Sequence, residues 1–491
     1  AGPGTAVPGT AVPDPVAPAT APAAGPDAVG EPLGALFGMP GTLLGSLPDG
    51  AGVPMPDDLR RRALTALAGS PVGTALMAPP SIAEIARTLR AVRADALVYL
   101  LPPGAGRSGE AVIVTAGGGV GLQRLTLVRP DALRQLTTYR QAHRERQAAL
   151  APGTGKAEET AARRRWQAAL AELCDWAGAA VMRPLLRHPE VRAAGPLPRL
   201  VLVPFGEFGG VPWHAGLLRS GLRDGSRPVR AAEEAVLSYA ASARQLCEVA
   251  GRPRLPLTER PVVVGDPGRN LFGADIEAES IHAELYPDGT LLGFVEGAEG
   301  AGTPREVLAT LPAPGRSGAS VLHLACHARP SGSSPLDAYL ELAPEPGAGT
   351  RVAGAASGRL PVGDILRQAQ GRPPGSPGGL VVLDACVSDH TAGDLDEALT
   401  LSTAFLAAGA TGVVGSRWEV PDSLVGPLMY VFHARLRQGD PPAEALRHAQ
   451  LWALGPERRI PPDMPVDLAL ALDEGDPAAL DVWAAFGYQG G

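Results

Sequence analysis

"VLHLACHARP", Val321 to Pro330, is an apolar, strand-like run that ends in Cys326-His327. A second run of the same kind, "GLVVLDACVSDH", spans Gly379 to His390 and also ends in a cysteine, Cys386. Two buried-type strands each deliver a reactive side chain at the carboxyl end. Near-continuous apolar strands belong to largely parallel sheets covered on both faces. In such sheets, sites form outside the carboxyl ends of the strands. A free thiol with a pKa of about 8.5 is only about 3% thiolate at neutral pH. A neighbouring imidazole raises that fraction and later protonates a leaving amine. Backbone N–H groups beside the pair can hold a tetrahedral oxyanion. His327 and Cys386 therefore form a candidate dyad.

Two other readings of these residues stay open at this point. Free cysteine is commonly a small buried hydrophobe, which would account for both Cys326 and Cys386. A zinc site could draw on His323, Cys326, His327, Cys386 and His390. However, the odd separation of His323 and Cys326 along a strand sends them to opposite faces, and the spacing matches no common zinc ribbon or finger. No cofactor is expected.

The 491-residue chain is 45% hydrophobic, enough for sizeable cores, and its length suggests more than one domain. Its net charge of −8 argues against a dedicated nucleic-acid binder. One basic stretch, Arg140 to Arg165, has helical spacing and is expected to be a solvated helix face. Four scattered cysteines are too few for a disulfide scaffold and fit free thiols in a cytoplasmic protein. No 18-residue apolar run or leader-like opening occurs, so no membrane association is expected.

Residues 1–50 are rich in Pro, Ala and Gly and are expected to be a disordered arm. Residues 51–80, containing "PDDLRRRALTALAG", are expected to form a short helical lead-in. The region 81–250 opens with the helix "SIAEIARTLRAV", with Ser81 as its N-cap and Glu84 three residues on. Strands "DALVYLL", "EAVIVTAGG" and "LQRLTLVR" come next. A helical stretch from Pro130 to Leu186 is broken at "APGTGK". From about residue 195, short apolar strands alternate with helices to the end. Region 251–491 carries both the His and the Cys strands.

Several motifs in order resemble the CHAT domain, a branch of the caspase-like cysteine peptidases that also resembles separase. They are "DALVYLL", "LVLVPFGEFGGVPWHAGLL", "AVLSYAASARQL", "VVVGDP", "LHLACHA", "VVLDACVS", "DEALTLSTAFLAAGATGVVGSRWEVPD", "AEALRHAQLWAL" and "VWAAFGYQGG". The resemblance runs over roughly 81–491. Ala241 stands where the family's Tyr-x-Pro-Ser segment has Pro. The likeness implies an α/β, caspase-like, largely parallel sheet flanked by helices on both faces. It also implies a preceding α/β pseudo-catalytic lobe over 81–250 and a catalytic lobe over 251–491.

Carried over residue by residue, the resemblance makes His327 the general base and acid and Cys386 the nucleophile. The backbone N–H groups of Ala328 and Cys386 become the oxyanion hole. Two departures stand out. Ala328 replaces the usual Gly, and would be strained if that position needs a positive φ. Asp384 replaces the usual Ser two residues before the nucleophile. In related caspases and metacaspases this position lines the S1 pocket, and an acid there accompanies cleavage after Arg or Lys. A carboxylate in a partly dry pocket favours a guanidinium. The alternative is that Asp384 caps a turn or accepts from Arg417. Trp418 is either a pocket wall or a core aromatic. Glu397 and Asp396 either begin a helix or contact substrate. Asp422 reads as an N-cap, and His214 and His323 read as satisfied core or surface histidines.

The implied partners are a protein substrate and an activating protein or sensor, because family members often act downstream of sensors in bacterial defence. A chain that kept the fold but lost the chemistry, serving as a binding module, is the competing class.

Overall fold

The apolar runs fold as strands because β-branched side chains pack well on a pleated surface buried on both sides. The computed structural model describes residues 1–2, 79–104, 106–130, 133–151, 153–219, 227–329, 335–346, 358–373, 375–384, 400–420, 422–456 and 458–491. The chain separates into two units, Ala1–Asp49 and Gly50–Gly491. The second unit carries all the described strands and helices. The expected arm and the helical lead-in fall almost wholly outside the described residues.

The strands are β1 (Ala96–Leu101), β2 (Gly109–Thr115), β3 (Val120–Leu125), β4 (Arg199–Pro204), β5 (Leu217–Arg219), β6 (Val229–Arg230), β7 (Val236–Tyr239) and β8 (Pro261–Gly265). They continue with β9 (Thr290–Gly293), β10 (Val321–Ala325), β11 (His327–Arg329), β12 (Tyr339–Glu341), β13 (Arg359–Pro361), β14 (Leu380–Asp384), β15 (Gly412–Ser416) and β16 (Phe486–Gly490). The helices of six or more residues are α1 (Ile82–Ala91), α2 (Arg134–Ala149), α3 (Lys156–Ala177), α4 (Ala243–Ala250) and α5 (Ala274–Leu285). They continue with α6 (Pro304–Ala309), α7 (Val362–Gln370), α8 (Leu401–Ala407), α9 (Asp422–Arg437) and α10 (Pro442–Leu454).

Eleven strands form one sheet in the order β3-β2-β1-β4-β7-β16-β15-β14-β10-β8-β9. The strands β15, β14, β10, β8 and β9 are mutually parallel. So are β1, β4 and β7. The chain's last strand, β16, inserts between the two sets. It runs antiparallel to β15 and meets β7 at the pair Tyr239 and Gln489. The two halves expected from the sequence thus share one sheet.

Alternation along each strand sorts the side chains onto two faces. Val263, Val321 and Val382 pack with residues of α3, α5, α9 and α10. Val264, Leu322, Leu324, Val381 and Leu383 pack with Val307 of α6, Ile365 of α7 and Phe405 of α8. In the amino-terminal half, Ile85 and Leu89 of α1 and Leu246 of α4 cover Leu97 and Val201. Helices therefore flank both faces. The N-cap of α1 is Ser81, whose hydroxyl accepts from Glu84 N, and burying its apolar stripe anchors it to the sheet.

The basic stretch over α2 and α3 is not simply a solvated face. Arg146 is buried, with its guanidinium 4.3 Å from the Trp166 ring centroid and one N–H donated to the Glu419 carbonyl at 3.0 Å. Burial is possible because the indole face and the carbonyl replace water around the charge. The neighbouring arginines pair with carboxylates, Arg140 with Glu207 and Arg163 with Asp481.

Candidate active site

Strand β10 lies between β8 and β14, with Ala325 in register with both Gly265 and Asp384. Cys326 N–H donates to the Asp384 carbonyl at 3.3 Å, the last link of that ladder. The chain then leaves the central sheet and enters a three-stranded antiparallel sheet, β11-β12-β13. His327 opens β11 opposite Glu341, and is partly exposed. Ala328 pairs with Leu340 and packs its methyl into the core beside Cys326. Its φ is not positive; among the described non-glycine residues only Arg93, Asp266 and Arg269 are in that region. The strain that Ala in place of Gly would cause at a positive φ is therefore absent.

Strand β14 ends at Asp384. Cys386, two residues further along the chain, lies outside the described residues, as do Asp396 and Glu397. The side chain of Asp422 is likewise outside them. What the structure does show is that the strands leading to His327 and Cys386 are nearest neighbours, parallel, with His327 two residues beyond Ala325 and Cys386 two residues beyond its partner Asp384.

Cys326 and His323 point to opposite faces, as the spacing required. Cys326 is buried among Leu322, Leu324 and Ala328. His323 is fully buried beneath the sheet, where Nδ1 lies 3.2 Å from His433 Nε2 and Nε2 lies 3.0 Å from Glu277 Oε1. Tyr286 OH in turn lies 3.0 Å from His433 Nδ1. One assignment of protons satisfies the imidazoles, running Tyr286 O–H to His433, His433 N–H to His323, and His323 N–H toward Glu277. The last contact is within ion-pair distance. Burial pushes the His323 pKa down to about 4, with the Asp384 carboxylate opposing weakly. Burial also pushes His433 well down, and His323 adds to this. Burial thus favours the neutral form of both rings, which serve as a polar seam tying α5 and α9 to β10. The sequence signal was the lone polar residue in an apolar strand, but Glu277 and His433 could not be joined to it without the topology.

Asp384 is half-buried and stands at even spacing from Leu380 and Val382, so it shares the sheet face of His323. Trp418 does not wall a pocket. Its indole is fully buried, edge-on to Trp166 at 5.7 Å between centroids, and Nε1 donates to the Asp481 carbonyl at 2.8 Å. A ring with this packing cannot receive substrate, so Trp418 is a core aromatic joining α3 to the end of β15. Arg417 donates to the Gly209 carbonyl at 2.9 Å and stacks 4.6 Å from the Tyr239 centroid. His214 is buried, bonded at Nδ1 to Tyr239 OH (2.8 Å) and at Nε2 to the Ala484 carbonyl (3.1 Å). Burial first, then Arg417, push its pKa down to about 3, against the carbonyl bond.

Sequence inspection missed the loop that leaves β8. Asp266 N–H donates to the Ala325 carbonyl at 3.0 Å, and the Asp266 carboxylate accepts from Asn270 N and Leu271 N at 2.8 and 3.0 Å. Asn270 Nδ2 donates to Glu341 at 3.1 Å, opposite His327. Gly265 and Gly293 allow this crowding. A Cβ on Gly265 would collide with Ala278 and, at 2.7 Å, with Val295, while Gly293 has φ +111°. A cavity of about 540 Å³ opens instead at the strands' amino ends, lined by Arg93, Arg199, Ser320, Gly379 and Thr411. It is at the wrong edge of the sheet for this chemistry, and its Arg199 is paired with Glu444 at 2.8 Å.

Among the described residues, no group of three or more His, Cys, Asp or Glu side chains could hold a metal ion, and no helix is long and apolar enough to cross a membrane.

The chain is similar to the separase of Saccharomyces cerevisiae in its complex with securin, with TM-score 0.50 and 9% identity over 89% of this chain. It spans 32% of the length of that separase chain. At this identity the likeness concerns the fold alone. A looser alignment, TM-score 0.33 and 9% identity, covers 70% of this chain and 69% of the Arg-specific cysteine proteinase gingipain R. It carries no weight here. A search of curated proteins gives no match. The CHAT domain model matches residues 167–491, two thirds of the chain, starting after the 81 at which the resemblance was first legible. With its large, mostly parallel, helix-flanked sheet, the chain has a caspase-like fold and belongs to the CHAT domain family.

Proposed function

We propose that the protein is a cysteine endopeptidase in which His327 and Cys386 form the catalytic dyad. The observation that carries this reading is the register of β10 and β14. Two neighbouring parallel strands end level at Ala325 and Asp384, and each chain continues two residues to its reactive side chain. His327 takes the Cys386 proton, and the thiolate attacks the scissile carbonyl carbon. The oxyanion is held by the N–H groups of Ala328 and Cys386. The C–N bond breaks as His327 returns the proton to the leaving amine. Water, deprotonated by His327, then hydrolyses the thioester and frees the thiol.

Asp384 selects Arg or Lys at P1 by pairing its carboxylate with the substrate cation. Its half-burial strengthens such a pair relative to water. Glu397 is a further candidate for substrate contact. The substrate is a protein, cleaved in the cytoplasm. An activating protein or sensor controls the enzyme in a bacterial defence or regulated-death pathway.

The test compares wild type, His327→Ala, Cys386→Ala and the bystander Cys326→Ala on fluorogenic peptides ending in Arg, Lys, Asp or Leu. Cleavage of Arg and Lys peptides by wild type and Cys326→Ala alone is the expected result. Activity that survives Cys386→Ala overturns the assignment.

A further inference from the structure

Most large apolar side chains in this fold are buried, yet two phenylalanines at one edge of the sheet are not. Phe272 is 75% exposed and Phe294 is 54% exposed. Both follow carboxyl ends of strands. Phe272 ends the loop after β8, and Phe294 follows β9 directly, its N–H bonded to the Gly265 carbonyl at 2.9 Å. This is the edge at which β10 delivers His327.

The loop that carries Phe272 is held stiffly. Asp266 and Arg269 both have positive φ, 39° and 58°, a region that disfavours side chains with a Cβ. The strain is held by the Asp266 carboxylate on two backbone N–H groups and by Arg269 N–H on the Asp266 carbonyl at 3.0 Å. Leu271 packs beneath against Ala274 and Ala325. Arg269 lies over the Phe294 ring, 4.3 Å from its centroid, joining the two loops. Asn270 binds Glu341, the residue opposite His327. The loops that carry the two phenylalanines are thus tied to the strand end that presents the candidate base.

We propose that Phe272, Phe294 and Arg269 form a subsite for the protein substrate, taking an apolar or aromatic side chain close to the scissile bond with a carboxylate beside it. The occupant is set by position and charge. A polypeptide lying across His327 continues over the ends of β8 and β9. The two rings offer it apolar surface, and Arg269 offers a cation whose described partner is a ring face. A preformed rim gains affinity because little ordering remains to be done on binding.

This inference rests on the peptidase reading, so its test includes a readout that needs no turnover. Cys386→Ala protein is titrated with fluorescent Arg-centred peptides that carry Phe, Leu, Ser or Asp at each of four flanking positions. Tighter binding of a peptide with Phe or Leu at one position, by about tenfold over Ser, is expected. Adding Phe272→Ser and Phe294→Ser should erase that preference, and adding Arg269→Gln should erase any gain from an adjacent Asp. These residues are at the surface, and an unchanged melting temperature checks that the variants fold. Equal discrimination with and without the phenylalanines overturns the subsite. Phe-dependent binding together with a Cys386 thiol that alkylates with an ordinary midpoint in the wild type would retain the subsite and count against the peptidase reading.

Discussion

Acidification from pH 7.5 to 5 should destabilise this fold through its buried histidines. His323 and His214 have folded pKa values pushed down to about 4 and about 3, chiefly by burial. In the unfolded chain both return to about 6.5. At pH 5 the unfolded state therefore binds two protons that the folded state refuses, and the stability slope against pH is positive. The stability is complete above pH 6.5 and is lost as pH falls toward the folded values. For each ring the loss between pH 7.5 and 5 is about 2 kcal/mol, hence about 4 kcal/mol together. His433 adds in the same direction. Asp175, raised by burial, works oppositely because its folded form gains a proton first. Four kcal/mol is a large share of the ~5–15 kcal/mol typical of folded proteins. The assay is the urea midpoint of Cys386→Ala protein, followed by tryptophan fluorescence at half-unit pH steps, with NMR titration of the histidine rings alongside. Midpoints that stay flat across this range, or imidazoles at 214 and 323 that titrate near 6.5, would refute the reasoning.

Asp384→Asn should cut the preference for Arg and Lys over Leu at P1 by about 100-fold in kcat/KM while leaving Leu peptides unaffected; the peptide panel reads this directly. Trp418→Phe leaves the buried Asp481 carbonyl without its indole donor and should cost about 1–2 kcal/mol by urea unfolding, with no change in P1 preference. Cys326→Ala removes a small buried side chain and should lower stability by about 1 kcal/mol without altering cleavage or alkylation of Cys386.

Much of the sheet was legible because its strands are apolar on both faces. The runs at 96–101, 199–204, 261–265, 321–325, 380–384 and 412–416 all became strands. Strands β9 and β16 were not. "TLLG" is short, and "FGYQG" mixes glycine with polar residues; each is held by its neighbours rather than by its own propensity. The insertion of β16 between β7 and β15 joins Gln489 to Tyr239, about 250 residues apart in the chain, which no local pattern encodes. At the candidate site, motif order singled out His327 and Asp384 as candidates, and their roles are proposals. It could not decide the place of Trp418, since a pocket wall and a core ring look alike until Trp166 and Asp481 are seen beside it. Only the start of the loop 266–273 stood in a motif, "VVVGDP"; its link to His327 runs through Asn270 and Glu341, 71 residues apart.

The dyad is tested most directly by the pH dependence of iodoacetamide alkylation at Cys386, followed by mass spectrometry in wild type, His327→Ala and Cys326→Ala protein. This requires no substrate and no activator. Pairing with His327 predicts an alkylation midpoint in wild type and Cys326→Ala well below the ~8.5 of an ordinary thiol, returning toward that value in His327→Ala. A Cys386 that alkylates with an ordinary midpoint, unchanged by His327→Ala, would contradict the assignment.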